Sequence, residues 1–545
     1  MTAALVASLE GLDVLLCEKS DQVGGTGATS AGTLWIPGNS QSKAAGFNDS
    51  GEQADLYLNA LIGEATNREL RDAYLRTGPT AIDYLCARSD VQFLPCGQHP
   101  DYRSNMPGAA IAGRAIVSEP FDGRLLGAEF RRIRPPVPEF MLFGGMMVGK
   151  ADISRLIGRF DSIANFIYSA KLFARYLGDR LKYRRGTRLM MGNALIGRLF
   201  YSLRKRQVPI LFDASVIELN GDRRGIKGAH LKVGDKRISV KARKGVVLAT
   251  GGYAHNKRLR EAFMPRPVPE HSMSFEGNRG DGIDIGQRLG AAITREQGTS
   301  GLWTPVSIVP RPDGTKGLFP HLVLDRAKPG LIAVNSSGRR FVNEAVSYHD
   351  FVLAMFDSNK TTPSIPAWLL CDKTFLEKYG LGAIYPGHRN PGKFVDSGYL
   401  ASARTLEELA AKIGVDTVQL RGTVLRYNGF AETGVDIDFG KGEVELNRFN
   451  GDALHKPNPC IGPLATPPFY ALAVWPADIA VSTGLATDAD ARVLDNDGKP
   501  IPGLYACGND MASVMAGSYP GPGTTLGPAV VFAYRAVMHA KGVTI

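Results

Sequence analysis

Within Gly517–Ala529, reading Gly-Ser-Tyr-Pro-Gly-Pro-Gly-Thr-Thr-Leu-Gly-Pro-Ala, a phenol, a glycine-rich turn and a helix start stand together. Proline fixes its own φ and glycine reaches angles closed to other residues, so the stretch is stiff and sharply turned. The pair Thr524–Thr525 is suited to cap a helix carrying the apolar run Ala529–Tyr534. A helix start presents unpaired N–H groups and the positive end of a dipole. Tyr519, the Gly523 N–H and that helix end can therefore surround one electron-rich ligand. The same residues could equally form a plain connection.

A second set lies near the N-terminus. The apolar helical segment Met1–Glu10, closed by Gly11, leads to a buried-strand pattern over Leu12–Cys17 that ends at Glu18. In a dinucleotide-binding βαβ unit, an acid at the tip of the second strand hydrogen-bonds a ribose hydroxyl. Glu18, followed by Lys19, suits that place; an exposed strand-end carboxylate is the plainer alternative. Gly24, Gly25, Thr26, Thr29, Ser30 and Gly32 follow, small residues and hydroxyls that let backbone approach a flat, phosphate-bearing cofactor. The first strand and GxGxxG turn of such a unit do not precede them. The expectation is a start set too late or a shortened chain, with real loss of the pyrophosphate site as the alternative.

The elements that must position these residues are legible in outline. Gly245–Gly252 is a buried strand delivered into a turn at Thr250, Gly251 and Gly252. Gly280–Ile283, with Asp281, opens a helix, and Ile501–Asn509 is a strand ending in a turn at Gly508 and Asn509. Between the first two sets, a helical pattern over Ala194–Arg204 precedes short strands at Val208–Phe212 and Val216–Leu219. A hairpin Gly228–Val233/Arg237–Ala242 then turns at Gly234–Asp235. From about Ala291 to Pro468 the pattern changes to loops, prolines and mixed segments, with a helix at Thr405–Ile413. The expected architecture is α/β: a Rossmann-like cofactor domain without its first strand and phosphate loop, interrupted by an inserted α+β catalytic domain. Its parts are 1–290, 291–468 and 469–545.

Composition agrees with a multidomain globular protein: 545 residues, 44% hydrophobic and 21% charged, with 63 glycines that favour tight turns near a ligand. Six scattered cysteines without a CxxC pair argue against a zinc ribbon or disulfide scaffold and suit a reducing cytoplasm. His99, His349 and His388 lack metal-ligand spacing, so no metal is expected. The formal net charge is +11, much of it between Lys150 and Arg188, where apolar residues are interleaved as in an amphipathic helix. A solvated helix face is the plainer reading of 150–188; peripheral contact with an anionic membrane is the other. No nucleic-acid motif accompanies it. No run reaches the roughly 18–20 apolar residues of a membrane span, and no signal pattern opens the chain.

The Glu18–Lys19, Gly-Gly-Thr and Thr-Ser-Ala-Gly runs, with the Ala-Thr-Gly-Gly turn, resemble the FAD-binding half of the fumarate reductase and ketosteroid dehydrogenase flavoproteins. Ala31 stands where those proteins often have glycine. Their fumarate reductases carry arginine where Tyr519 stands, for a dicarboxylate; a phenol and a backbone N–H suit a neutral carbonyl instead. Ser518–Ala529 resembles the 3-ketosteroid Δ1-dehydrogenases. So do Gly338–Tyr348 (GRRFVNEAVSY) and the set Pro100–Tyr102, Gly113–Arg114 and Glu119–Asp122.

That resemblance implies FAD, held by Glu18, Lys19, Gly24, Gly25, Thr26, Thr29, Ser30, Gly32, Thr250, Gly251, Gly252, Asp281, Gly508, Asn509, Thr525 and Leu526. It implies 1,2-dehydrogenation of a 3-ketosteroid or similar polycyclic ketone, with an unidentified electron acceptor. Tyr348 would take the C2 proton, flavin N5 the C1 hydride, and the Tyr519 hydroxyl and Gly523 N–H would bind the enolate oxygen. A phenol of pKa near ~10 is a poor base, so Tyr102 is expected to assist by hydrogen bonding to Tyr348. A 3-ketosteroid Δ4-(5α)-dehydrogenase and an inactive flavin- or steroid-binding remnant are the alternatives.

Overall fold

The computed structural model describes the whole chain except residues 223–224, 295–297, 388–389 and 544, and except the side chains of 150, 151 and 222. His388 therefore lies outside the described residues. On the cofactor side, the helix Thr2–Leu9 packs against the C-terminal helix Leu526–Lys541 through an almost wholly buried surface. It closes when the Leu12 N–H donates to the Ala7 carbonyl at 2.9 Å, after a left-handed Gly11. That closure takes Leu12 out of the expected strand, which shortens to Leu16–Cys17 and pairs in parallel with Ile210–Leu211. A separate three-stranded sheet pairs Val246–Leu248 in parallel with Leu504–Ala506 and sets Arg492–Leu494 along its other side. The expected hairpin is present as Gly225–Val233 and Lys236–Lys241.

The remaining mass is built on a seven-stranded sheet whose axis is the long strand Phe469–Val481. Gly301–Pro310 and Ala367–Asp372 flank it antiparallel, with Lys316–Pro320 and Ile332–Val334 outside them. Both faces of the axial strand are covered, which explains its nearly continuous apolar sequence. By hydrogen bonding Phe469–Val481 belongs to this sheet, so the chain crosses to the cofactor-side strands only after Val481. The sequence places 469 onward with the cofactor domain; an apolar strand does not announce which sheet it joins.

The helix Tyr348–Ser358 packs on Gly301–Pro310, and Ser347 caps it by accepting from the Asp350 N–H. The loop leading into it is tied down by a buried charge cluster. Glu344 accepts from Arg340 at 2.8 Å and from the Ala333 N–H at 3.1 Å, and Lys441 lies 3.2 Å away. Arg340 also bonds Asp436 at 2.7 Å. Burial alone would raise the Glu344 carboxyl; Arg340, then Lys441, outweigh it and hold it at about 2.

Glu344→Gln should therefore cost about 3–5 kcal/mol, because it leaves two buried cations short of an anion. A depressed carboxyl stabilises the fold above its unfolded value of 4.5 and loses that contribution as the pH falls towards about 2. Denaturant titrations at several pH values should show the variant lacking that acid-dependent loss; a native midpoint and slope would show that the cluster contributes little.

Candidate active site

Three tyrosines from distant parts of the chain meet in one buried cluster of otherwise apolar side chains. Tyr102 comes from a loop, Tyr348 is the first residue of its helix, and Tyr519 sits in the glycine-proline turn. The Tyr102 and Tyr348 hydroxyls are 2.6 Å apart, and those of Tyr348 and Tyr519 are 3.2 Å apart. Tyr102 and Tyr519 stack with ring centroids 5.2 Å apart, while Tyr348 stands edge-on to both. Leu302, Leu322, Leu446, Ile479 and Ala480 complete the wall. Burial drives all three phenols well above their ordinary pKa.

Each tyrosine is held by its neighbours' backbone. The Tyr102 N–H and the Tyr57 hydroxyl both donate to the Pro520 carbonyl at 2.8 Å, which fastens the Tyr102 loop to the Tyr519 turn. The residue before Tyr102 is a buried anchor: Asp101 accepts from Trp35 Nε1 at 2.8 Å, Arg114 at 2.6 Å and the Ala110 N–H at 2.9 Å. Gly523 has φ +97°, and a Cβ there would lie 2.5 Å from the Thr33 carbonyl. The glycine is thus dictated by the strand Thr33–Trp35 behind it, a reason the sequence does not show.

One expectation about this turn is corrected. Thr524 and Thr525 do not cap the following helix: the Thr524 hydroxyl donates to the Gly521 carbonyl, and Thr525, at the cap position, makes no side-chain capping bond. The Gly527 N–H is satisfied by the Gly523 carbonyl. The N–H groups of Thr525 and Leu526 have no protein acceptor among the described residues, so the helix start faces outward with its donors free.

The other predicted positions form a second cluster. Glu18 accepts from the Ser20 N–H and hydroxyl at 2.9 and 3.0 Å, and Lys19 pairs with Asp281 at the start of the helix Asp281–Arg288. Thr26 accepts from the Phe275 N–H and from Asn278 at 2.8 and 3.0 Å; the Thr29 and Ser30 hydroxyls donate to the Thr26 and Gly27 carbonyls. Gly24 leads into the short helix Gly25–Thr29, against which Leu526 packs near Gly27. Gly32 does not face open space: a Cβ there would strike Gly192 at 2.2 Å. Gly251 and Gly252 fit closely against Asn278 and Asn509.

Sequence reasoning stopped one residue short at Gly508–Asn509. Asp510 is fully buried and receives the Thr250 N–H and hydroxyl and the Gly252 N–H; Thr250 in turn accepts from the Gly282 N–H. One carboxylate thereby joins three turns. Burial pushes it up against those donors. A Gly-Asn-Asp run closing a buried strand was the available signal. Arg134 was also missed: its guanidinium lies 3.5 Å from the Phe275 ring centroid, and its buried Nε has no partner.

These features fit a dinucleotide. The unpartnered Arg134 Nε, the free N–H groups at Thr525 and Leu526, and the lightly contacted backbone at Gly25 and Gly508 offer donors and close backbone approach to an anionic, planar group. A family model described as FAD binding domain matches residues 1–526. The 3-oxosteroid 1-dehydrogenase of Mycobacterium tuberculosis is 35% identical, over 99% of this chain and 96% of its own. The chain belongs to the 3-ketosteroid Δ1-dehydrogenase family of FAD flavoproteins. As such it is an FAD-dependent oxidoreductase.

Two further relatives place it within that family. A crystal structure of 3-ketosteroid Δ1-dehydrogenase from Sterolibacterium denitrificans, in complex with 1,4-androstadiene-3,17-dione, superposes with a TM-score of 0.91. It is 36% identical, over 99% of this chain and 97% of its own. A 4-oxocyclohex-2-ene-1-carboxylate 5-dehydrogenase from Sinomonas cyclohexanicum is 38% identical, over 98% of this chain and 91% of its own. The family fold agrees with the α/β architecture expected from the sequence.

Asp510→Asn replaces a charged acceptor with an amide and should weaken FAD retention about tenfold or more, since hydrogen bonds to a charged group are worth ~1.5–3 kcal/mol each. The flavin absorbance of purified protein, before and after dialysis, measures this. Full retention would remove Asp510 from the cofactor's support.

Proposed function

We propose that the protein introduces the 1,2 double bond of a 3-ketosteroid. The observation that carries this reading is the buried trio of phenols among apolar side chains, with Gly523 in the same turn as Tyr519. Tyr519 and the Gly523 N–H bind the ketone oxygen and stabilise the enolate that forms there. Tyr348 takes the proton from C2. Burial and then Tyr102 raise the Tyr348 phenol as the three hydroxyls stand, while Tyr519 lowers it. Tyr102, 2.6 Å away, assists by turning its own hydroxyl to donate to the Tyr348 oxygen when the charge forms. FAD, when bound, would supply the oxidant for the hydride from C1, and a separate electron acceptor would restore it. Glu18, Lys19 and Asp281 would hold its nucleotide end, and Gly24, Gly25, Thr26, Thr29, Ser30, Gly32, Thr250, Gly251, Gly252, Gly508, Asn509, Thr525 and Leu526 the rest of it.

The relative from Sinomonas cyclohexanicum supports a second reading, a one-ring ketone bearing a carboxylate. The apolar residues around the tyrosines favour the steroid. Burying a carboxylate needs a cation with no anion of its own, and Arg103, the residue after Tyr102, is paired with Asp350 at 2.7 Å.

A surface feature favours delivery from a membrane. The helices Lys150–Ile157 and Ile163–Arg180 and the residues flanking them expose Ile157, Phe160, Ile163, Phe166, Leu177 and Leu181 among arginines and lysines, with Phe160 76%, Ile163 81% and Leu181 91% accessible. Among the described residues no helix is long and apolar enough to cross a membrane. An apolar edge framed by basic side chains instead suits insertion at the surface of an anionic bilayer, where steroids partition.

With an artificial electron acceptor, 4-androstene-3,17-dione should yield the 1,4-diene with kcat/KM at least tenfold above that for 4-oxocyclohex-2-ene-1-carboxylate. A reversed preference would establish the one-ring reading, a different double bond the Δ4-(5α) activity, and absence of bound FAD the inactive remnant. Tyr348→Phe should nearly abolish turnover with flavin still bound, and Tyr519→Phe should raise the barrier by ~3 kcal/mol; normal rates in either variant would remove its assigned role. In flotation assays the protein should rise with phosphatidylglycerol vesicles and stay down once Phe160 and Ile163 are both changed to serine. Wild-type protein remaining in the soluble fraction would overturn the membrane reading.

A further inference from the structure

Arg326 is a buried cation with an unusual set of partners. Its guanidinium makes four kinds of contact, all to backbone oxygen: Nε donates to the His321 carbonyl at 2.9 Å and Nη2 to Leu322 at 3.1 Å. Nη1 donates to Glu344 at 2.7 Å and to Val346 at 3.2 Å. It also lies 4.9 Å from the ring centroid of Phe351, one turn along the helix that Tyr348 begins. The side chain therefore grips the loop before Tyr348 and the helix after it, and through Leu322 it reaches the wall of the pocket.

Among the described residues no carboxylate lies within ion-pair distance of this guanidinium. The acids around it are committed elsewhere. Asp325 is bonded by His321 at 2.6 Å and by the Gly382 N–H, and Glu344 by Arg340 and Lys441. Asp350 is paired with Arg103. Carbonyl dipoles solvate a positive charge without cancelling it; Asp325 and Glu344 oppose it from beyond ion-pair distance, and the same charge acts on Tyr348. The groups that face Tyr348 are Tyr102 and Tyr519, Arg326 itself, the neighbouring His349 and Asp350, and Asp101 behind Tyr102. Burial lowers His349 to about 4, so it is neutral at working pH.

We propose that Arg326 is a positioning residue for proton abstraction: it fixes the start of the Tyr348 helix and supplies the positive charge against which the Tyr348 phenolate forms. This rests on the reading of Tyr348 as the base. The proton passes from C2 to the Tyr348 oxygen, and Arg326 neither gives nor takes one. The charge is fixed over the working range because guanidinium remains protonated far above neutral pH. Burial brings Arg326 down only to about 10.

The test separates charge from clamp. Activity should rise with pH along an acid limb as Tyr348 ionises. Arg326→Gln should move the limb of kcat/KM upward by about one pH unit or more, with activity recovering at high pH, as expected for loss of a unit charge at short range. Arg326→Lys should leave the limb within a few tenths of a unit of wild type while lowering the plateau, because the charge stays and the carbonyl clamp is lost. If both variants lower the plateau and neither moves the limb, Arg326 is only structural and the proposal fails. If Tyr348→Phe holoenzyme turns over normally, it is the base assignment that fails.

A measurement on unmutated side chains at 326 covers variants that do not fold. The ultraviolet phenolate absorbance of wild-type holoenzyme minus that of Tyr348→Phe reports Tyr348 directly. Burial raises all three phenols and Arg326 counters it at Tyr348, so the midpoint is expected below those read in the same way from Tyr102→Phe and Tyr519→Phe, and an equal or higher midpoint would overturn the proposal.

Discussion

The Pro520 carbonyl and the strand Thr33–Trp35 together hold the Tyr519 turn, and the rest of the site depends on that hold. Tyr102 and Tyr57 converge on the one carbonyl, and the close approach of Gly523 to Thr33 leaves no room for the turn to shift. Tyr348 arrives from the far side on its helix. The meeting of three phenols in a dry pocket follows from those contacts, and it opposes ionisation of each of them. A site built this way ionises one phenol only where its neighbours can answer the charge. Tyr348 is the member bonded to both of the others.

On the cofactor side the organising group is a carboxylate. Asp510 gathers donors from the turn after Val246–Leu248 and, through Thr250, from the start of Asp281–Arg288. It does for three turns what hydrogen-bonded strands do elsewhere. The parallel pairs Leu16–Cys17/Ile210–Leu211 and Val246–Leu248/Leu504–Ala506 are in separate sheets, so turn-to-turn contacts hold the cradle in register.

Much of this was legible because it is local. Hydrophobic pattern and glycine placement located the helices Thr2–Leu9, Met191–Lys205 and Leu526–Lys541, the hairpin turning at Gly234–Asp235 and the strand running into Thr250–Gly252. The motif resemblance led to the family. Four things escaped. The strand before Glu18 shortened because Leu12 serves the helix C-terminus, and Thr525 left the cap bond unmade. Asp510 and Arg134 earned no notice because a buried acid or an aromatic-stacked arginine looks, in sequence, like any other.

What the sequence by itself determined is the class of the protein: an α/β flavoprotein whose turn at Gly517–Ala529 carries a phenol where a dicarboxylate enzyme needs arginine. The resemblance of its motifs to the family carries that, and a phenol cannot do an arginine's work. What only the tertiary structure decided is which oxygen touches which. Tyr102, Tyr348 and Tyr519 are far apart in the chain, and their contact depends on three backbones converging on one pocket. The charge that Arg326 brings to Tyr348 is likewise invisible until its carbonyl partners and the commitments of Asp325 and Glu344 are known. Electrostatics in a dry interior is set by the sum of neighbours in space, and sequence order does not contain that sum.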